Sequence, residues 1–397
     1  MTELMKKSTI AIDTKLPRRD AFGAIAMPVY HTASYEFETA KDMADAFCGR
    51  VLAPDYSRVM NPTVMHFEDT VKALTDASNV FAFCSGMAAI TNALLTVVEQ
   101  GKNIVTSHHL FGNTVALMNR TLTRFGVETR QVDLLDLNVA RQAIDEQTAC
   151  LFLEIVTNPQ MEVTDIAALA EIAHERNIPL IADTTVIPFT QFSAKQLGVD
   201  IEVVSSTKYI SGGATSLGGL VIDYGTFPQV NQRIRFELLF NVGSYMSPHA
   251  AYMQSLGLET LEARYRVQAQ NALALAQRLT KVPQIVRVNY IGLPDNPFHD
   301  LAVRQFGNTA GAMLTIDLAD RKACFSFIDH LKLIRRATNL FDNKSLAIHP
   351  YSTIFGPFGK KQKEEMDVRD TTIRLSVGLE DVDDIFEDIR QAVEAIP

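Results

Sequence analysis

Short apolar runs alternate with amphipathic stretches between residues 80 and 225, and this alternation predicts strands and helices in turn. We predict strands at VFAFC 80–84, NIVTS 103–107, VETRQV 127–132, ACLFLE 149–154, PLIAD 179–183, IEVVSS 201–206 and GLVID 219–223. Most of the intervening stretches have helical period, such as residues 165–176. Apolar strands that alternate with helices are typical of a mainly parallel sheet covered on both faces, here of seven strands. Polar groups that bind or react collect at the carboxyl ends of such strands.

The pattern changes after about residue 255. Residues 257–280 predict one long helix, AMLTIDL 312–318 and TTIRLSV 371–377 predict strands, and a closing helix from residue 380 places Ile385, Ile389 and Val393 on one face. We therefore predict a large domain at 61–255 and a smaller α+β domain at 256–397. Residues 1–60 have little periodicity and predict an N-terminal arm.

The charge and the cysteines narrow the function. A net charge of −9 argues against nucleic acid and anionic membranes as partners. No apolar run approaches the length of a membrane span, and the first sixteen residues lack the apolar segment of a signal peptide, so we expect a cytoplasmic protein. The four cysteines have no spacing typical of a metal site or a disulfide framework. Cys84 and Cys150 lie in apolar runs and are expected to be buried thiols.

Polar residues end several of the predicted strands. Lys208 follows Ser205-Ser206-Thr207 at the end of one strand, and Asp183 ends the preceding one. A lysine that leaves a buried strand is costly unless it is paired or used, and desolvation lowers its pKa, which suits an imine-forming amine. Ser85-Gly86-Met87 after the first strand could bind a phosphate at a helix N-terminus. Taken singly, Asp183 could cap a turn and Ser85 could be a simple helix N-cap.

Together these groups fit one cofactor, pyridoxal 5'-phosphate (PLP). PLP needs a lysine for its imine, a carboxylate opposite the ring nitrogen and a cradle for its phosphate. Lys208, Asp183 and the turn at 85–87 supply the three, and Ser205 and Thr207 add hydroxyls for the phosphate. The strand ends therefore predict a PLP enzyme.

Several motifs resemble the trans-sulfuration family of Cys/Met-metabolism PLP enzymes, and the resemblance covers nearly the whole chain. They are YSRVMNPT 56–63, CSGMAAI 84–90, NP 158–159, SSTKYISGG 205–213, GLETL 257–261, HP 349–350 and RLSVGLEDVDDI 374–385. The resemblance implies a fold-type-I subunit, like aspartate aminotransferase, in dimers that pair into tetramers. It also implies that Tyr56, as a cofactor-binding and catalytic residue, and Arg58 reach the cofactor phosphate of the neighbouring subunit.

The same resemblance assigns the substrate pocket. Arg374 is the expected clamp for the substrate carboxylate, and Asn158 and Asn339 are the other expected substrate-binding residues. Phe111 stands where the family has a tyrosine stacked on the cofactor ring, so the chain lacks that hydroxyl. Thr184 and Gly213 also depart from the family, which commonly has Asn and His there.

Segments 289–302 and 337–353 are similar to the O-acetylhomoserine sulfhydrylase branch. This implies γ-replacement, in which sulfide or a thiol displaces the acyloxy group of an activated homoserine ester to form homocysteine or methionine. Methionine γ-lyase and cystathionine γ-synthase or γ-lyase activities are alternatives, although Asn113 replaces the cysteine usual in methionine γ-lyase. An alternative from another class is a non-catalytic PLP-binding protein.

Overall fold

The computed structural model describes residues 5–13 and 22–397 and contains two separate sheets. The strands are β1 Asn79–Phe83, β2 Asn103–Ser107, β3 Glu128–Val132, β4 Thr148–Glu154, β5 Leu180–Asp183, β6 Ile201–Val204, β7 Gly219–Asp223, β8 Arg287–Asn289, β9 Met313–Asp317, β10 Arg335–Arg336, β11 Leu346–Ile348 and β12 Thr372–Ser376.

Helices separate most of the strands. The α-helices are α1 Lys7–Ile12, α2 Ala40–Phe47, α3 Pro62–Thr75, α4 Gly86–Leu95, α5 Gly112–Ala116, α6 Leu137–Ala143, α7 Ile166–Glu175, α8 Gln229–Arg233, α9 Leu239–Asn241, α10 Pro248–Glu259, α11 Leu261–Leu279, α12 His299–Phe306, α13 Arg321–His330, α14 Lys360–Glu365 and α15 Val382–Glu394. Short π-helical turns follow α5 and α8 at Leu117–Thr121 and Ile234–Leu238, and short 3-10 turns lie at Leu122–Phe125, Lys195–Leu197 and Pro350–Ser352.

The larger sheet has seven strands in the order β1-β7-β6-β5-β4-β2-β3. Strand β7 runs antiparallel to both of its neighbours, and the other pairings are parallel. The predicted seven-stranded, mainly parallel sheet is therefore confirmed. All seven predicted strands are present, with ends that differ by at most two residues.

Both faces of this sheet are buried, which explains why its strands are apolar runs without polar alternation. Along β4, Leu151 and Leu153 pack into one core cluster, while Phe152 packs into a second cluster on the other face. Ile181 of β5 joins Phe152, and its neighbours Leu180 and Ala182 join the first cluster. The polar strand ends are thus the places where this sheet can present chemistry.

The second sheet has five strands in the order β10-β11-β12-β9-β8. The predicted strands at 312–318 and 371–377 are its central pair, β9 and β12. On the closing helix α15, the three predicted positions Ile385, Ile389 and Val393 are buried. Strands β8, β10 and β11 were not predicted, because two or three residues are too few to show a period.

Two expectations were wrong. The predicted helix at 257–280 is split into α10 and α11 at Thr260. Near this break the chain packs tightly, since a Cβ at Gly257 would stand 1.9 Å from the Ile210 carbonyl oxygen. The Arg264 side chain also donates to the Gly257 carbonyl and to Thr260 Oγ1 across the break. Cys84 is exposed, because β1 ends at Phe83 and the chain turns out of the sheet there, whereas Cys150 is buried as predicted.

The part of the predicted arm within residues 5–13 and 22–60 contains only the short helices α1 and α2. The division into an arm at 1–60, a large domain at 61–255 and a small domain at 256–397 stays a prediction, and residues 1–4 and 14–21 of the arm lie outside the described residues. None of the helices in the described chain is long and apolar enough to span a membrane.

Asp388 of α15 anchors the loop that precedes β10. Its buried carboxylate accepts the N–H groups of Lys332, Leu333 and Ile334 at 2.8–3.0 Å. Because Asp388→Ala leaves three donors without their acceptor, we expect a loss of about 3 kcal/mol in local stability. Hydrogen exchange at residues 332–336 should then be on the order of a hundredfold faster. The exposed Asp384→Ala on the same helix is the matched control, and equal exchange in both variants would contradict the anchoring role.

Candidate active site

A cavity of about 920 Å³ lies at the carboxyl ends of the strands in the large sheet. It is lined by nearly all of the residues that the sequence singled out: Ser85, Gly86, Met87, Phe111, Asn158, Asp183, Ser205, Thr207, Lys208, Asn339 and Arg374. The last two come from the C-terminal part of the chain, so the cavity lies between the two sheets. Only the predicted pair Tyr56 and Arg58 lies elsewhere.

Lys208 projects into this cavity just beyond β6. Its Nζ donates a hydrogen bond of 2.9 Å to Asn339 Oδ1. Burial and, to a smaller extent, the positive charge of Arg374 lower the pKa of Lys208 to about 8, against the opposite effect of the Asp183 charge. A substantial fraction of the amine is therefore neutral near pH 8, which a nucleophile or proton acceptor requires.

Asp183 and Glu154 end the adjacent strands β5 and β4 and are paired in register. Asp183 Oδ1 accepts the N–H of Thr185 at 2.9 Å, and Glu154 Oε1 accepts the N–H of Phe111 at 2.6 Å. Burial raises the pKa of both carboxyl groups, and the charge of Asp183 adds to the effect on Glu154. Two carboxyl groups so close together in an apolar setting hold a proton between them more readily than either does alone.

The N-terminus of α4 forms another wall. Ser85 is its N-cap, as the alternative interpretation held, and its Oγ accepts the N–H of Ala88 at 3.1 Å. Gly86 allows β6 to approach closely, since a Cβ at this position would lie 2.7 Å from the Ser205 Cβ. Ser85 keeps its own hydroxyl hydrogen for a ligand, because it only accepts in the cap. The helix terminus is therefore an anion site with an added donor.

Thr207 is placed differently from the prediction. Its Oγ1 donates to the carbonyl of Gly218 at 3.1 Å and accepts the Gly218 N–H at 3.0 Å. This exchange fixes the backbone next to Lys208 but leaves the hydroxyl without a hydrogen for a phosphate. The role of Thr207 in binding the cofactor stays a prediction.

Arg374 on β12 is almost completely buried and faces the cavity from the second sheet. Its guanidinium donates to Asn158 Oδ1 and to the carbonyl of Thr338, each at 3.1 Å. Burial lowers the pKa of Arg374 to about 9, because no buried carboxylate compensates the charge strongly. A substrate carboxylate would supply that compensation, and a guanidinium suits it geometrically.

Tyr56 and Arg58 do not line the cavity. Arg58 Nη1 donates to the carbonyl of Phe240 at 2.7 Å, and its guanidinium lies 5.2 Å from the centre of the Tyr56 ring. Tyr56 is 44% exposed. Their predicted action on the site of another subunit is not tested by this single chain.

The comparison with known proteins decides the class of enzyme. The family model described as Cys/Met metabolism PLP-dependent enzyme matches residues 8–394. The chain belongs to this family.

Individual relatives agree with the family and differ in reaction. The chain is 36% identical over 380 residues to an O-succinylhomoserine sulfhydrylase of Pseudomonas aeruginosa, covering 96% of this chain and 93% of the relative. It is also 36% identical over 382 residues to an L-methionine gamma-lyase of Fusobacterium nucleatum, covering 95% of each. A structure from Campylobacter jejuni, assigned as an O-acetylhomoserine (thiol)-lyase, superposes with a TM-score of 0.95 at 31% identity and covers 98% of this chain and 100% of its own.

The predicted cofactor and fold type are thereby confirmed. The Campylobacter structure contains N'-pyridoxyl-lysine-5'-monophosphate, and the family is PLP-dependent. The residues present fit the group, because the cavity holds a lysine of lowered pKa, a carboxylate and a helix N-terminus. The Nδ2 of Asn339 is buried without a partner beside Lys208, so the cavity also offers an unused donor.

Several residues that line the cavity had no predicted role. Glu154 ends an apolar run, as Asp183 does, and that common pattern could have identified it. Thr353 and Ile354 also line the cavity; Thr353 ends the segment 337–353 that resembles the sulfhydrylase branch, but neither residue had a predicted role.

The lowered pKa of Lys208 predicts how the apoenzyme takes up PLP with pH. The neutral amine reacts, so the rate should rise with pH and level off above about 8. Arg374→Met removes a neighbouring cation, which raises the pKa of Lys208 and should shift this curve to higher pH. The surface variant Arg278→Met is the control. Stopped-flow absorbance measures the rate, and one shared midpoint for all three proteins would contradict the assignment.

Proposed function

We propose that the enzyme catalyses γ-replacement on O-acetylhomoserine, with sulfide or a thiol as the second substrate. The γ-carbon loses its bond to the ester oxygen and gains one to sulfur, and acetate leaves. Sulfide gives homocysteine and methanethiol gives methionine. The match to the family and the sulfhydrylase relatives support this class of reaction.

The observation that carries the choice of substrate is Phe111. It lines the cavity where the family has a tyrosine, and phenylalanine has no hydroxyl to protonate a leaving group. Acetate leaves as a stable anion without such help, whereas the thiolate of methionine or cystathionine is a poorer leaving group. General acid assistance typically contributes about a hundredfold or more. Phe111 therefore favours an activated ester over a thioether.

The chain's own residues have distinct tasks in this proposal. Arg374 binds the substrate carboxylate, and Asn158 orients the guanidinium through their hydrogen bond. Lys208 removes the α-proton as a neutral amine and then carries protons between substrate carbons. PLP, when bound, supplies an electron sink for the negative charge left on the α-carbon. Asp183 holds the positive charge of the ring nitrogen that makes this sink effective.

Elimination is the second candidate. Relatives named L-methionine gamma-lyase are as similar to the chain as the sulfhydrylase is, at 36% identity. Water in place of the thiol gives an α-keto acid and ammonia on the same scaffold. A non-catalytic PLP-binding protein is less well supported, because Lys208, Asp183 and Arg374 all meet in the cavity.

A comparison of turnover rates on several substrates tests the proposal. We expect the wild-type holoenzyme to turn over O-acetylhomoserine with sulfide about a hundredfold faster than methionine alone. Phe111→Tyr should narrow this gap by accelerating elimination from methionine, with little change in cofactor affinity, because the stacking face is kept. O-succinylhomoserine with sulfide and cystathionine alone complete the panel. If the wild-type enzyme eliminates methionine faster than it carries out replacement on either homoserine ester, the sulfhydrylase assignment is wrong.

We also propose a homotetramer of two dimers located in the cytoplasm. The location agrees with the four cysteines, all of which are unpaired in the described chain. The oligomer is supported by the large apolar side chains that the arm exposes, among them Phe22, Ile25 and Phe47. In this assembly Tyr56 and Arg58 would complete the site of the neighbouring subunit.

Mixed dimers test the shared site. Homodimers of Arg58→Ala subunits and homodimers of Lys208→Ala subunits should each be inactive. Hybrid dimers should recover up to about half of the activity of a wild-type dimer, because one of their two sites is intact. The control uses Arg50→Ala in place of Arg58→Ala, because Arg50 is an exposed arginine of the same arm. Activity is measured on hybrids verified by native mass spectrometry. Verified hybrids without recovery would show that both residues serve the same chain's site.

A further inference from the structure

Glu154 is a cavity residue to which the reaction described above gives no task. The residue is 6% exposed at the end of the inner strand β4, and it is the direct neighbour of Asp183 in register. A charged group buried to this extent without a cation beside it is costly. A glutamate at this point in the cavity therefore needs either a function or a bound proton that removes the charge.

The contacts of Glu154 reach both sides of the cavity. Oε1 accepts the N–H of Phe111 at 2.6 Å, and the backbone N–H of Asn158 also points to the carboxyl group. Phe111 is the predicted stacking residue, and Asn158 is the hydrogen-bond partner of Arg374. One side chain thus holds the backbone behind the ring-stacking position and behind the substrate clamp.

Close packing and hydrogen bonds also restrict the backbone on the C-terminal side of Phe111. The adjacent Gly112 packs under the segment before α14, where an added Cβ would meet the Ile354 carbonyl oxygen at 2.9 Å. The Phe111 carbonyl accepts the first N–H groups of α5, those of Thr114 and Val115. Among the described contacts its N–H donates to Glu154 alone, so this bond holds the Phe111 backbone at the wall of the cavity.

The protonation state of Glu154 depends on the charge of Asp183. Asp183 must be ionised to hold the positively charged ring nitrogen, and a second ionised carboxylate beside it would meet repulsion in an apolar setting. Burial and the charge of Asp183 raise the pKa of Glu154, and the N–H groups of Phe111 and Asn158 lower it. The raising causes are larger, so the net shift is upward, which agrees with a bound proton. The cations of the cavity, Lys208 and Arg374, do not form a hydrogen bond or ion pair with Glu154 among the described contacts.

We propose that Glu154 is a positioning residue that works as a neutral carboxylic acid, fixing Phe111 and Asn158 while leaving Asp183 as the ionised carboxylate of the site. A neutral acid offers one carbonyl oxygen and one hydroxyl, and the side chain of glutamine offers a carbonyl oxygen and an NH₂ group in the same shape. An ionised glutamate offers two acceptors and a charge, which glutamine cannot replace. The two protonation states therefore make opposite predictions for Glu154→Gln.

The test compares Glu154→Gln, Glu154→Ala and Glu202→Gln as holoenzymes. Glu202 is a fully buried glutamate on β6, outside the cavity lining, so Glu202→Gln controls for the general effect of changing a buried carboxyl group. Glu154→Gln should keep KM for the amino-acid substrate within about threefold, and Glu154→Ala should raise it about tenfold or more, because two N–H groups lose their acceptor. The visible circular dichroism of bound PLP should weaken in the Ala variant alone.

Infrared spectroscopy tests the proton directly. The spectrum of the wild type minus that of Glu154→Gln should contain the carbonyl band of a protonated carboxyl group. A carboxylate band in its place would overturn the neutral state, and an Ala variant with wild-type KM and circular dichroism would overturn the positioning role. The infrared result needs only the Gln variant, so it holds even where the Ala variant does not fold. The inference rests on the cofactor site and not on the sulfhydrylase assignment, since neither spectrum depends on the substrate.

Discussion

Two cations and two carboxyl groups share one buried cavity, and the balance between their charges governs most of what the site can do. Lys208 and Arg374 repel each other across the cavity, and this repulsion together with burial keeps the lysine partly neutral. Asp183 offsets part of that effect, and its proposed role opposite the ring nitrogen requires it to stay charged. The site therefore works only if each group keeps a particular protonation state, and the surrounding hydrogen bonds stabilise those states.

The parallel sheet makes this crowding possible. Strands β4, β5 and β6 run side by side in the same direction, so the residues at their carboxyl ends meet at one edge. Because both faces of the sheet are covered by apolar layers, the same edge is also partly screened from water. Proximity and desolvation thus have a single origin in the topology, and the shifted pKa values follow from both.

Much of the fold and of the cavity could be predicted from the sequence, because buried strands are apolar runs and a polar residue at their end stands out. Asp183 and Lys208 were found in this way, and Arg374 through its family motif. Glu154 shows the same pattern and was left unassigned, since the pattern alone does not distinguish a ligand from a support. The break at Thr260 could not be predicted, because the helical pattern of the sequence continues through it and the close packing of Gly257 against Ile210 is a tertiary feature. Whether Arg58 acts on another subunit depends on an interface that local sequence does not encode.

The hydrogen bond between Arg374 and Asn158 joins the two sheets, since Arg374 belongs to β12 and Asn158 follows β4. In the proposed mechanism Arg374 binds the substrate carboxylate, so part of the recognition of the amino acid is encoded far downstream of Lys208 and Asp183. Mutations downstream of the cofactor segment can change which amino acid is accepted and leave the reactive lysine and its carboxylate untouched. Substitutions that alter recognition and substitutions that alter the reactive groups can therefore arise independently of each other.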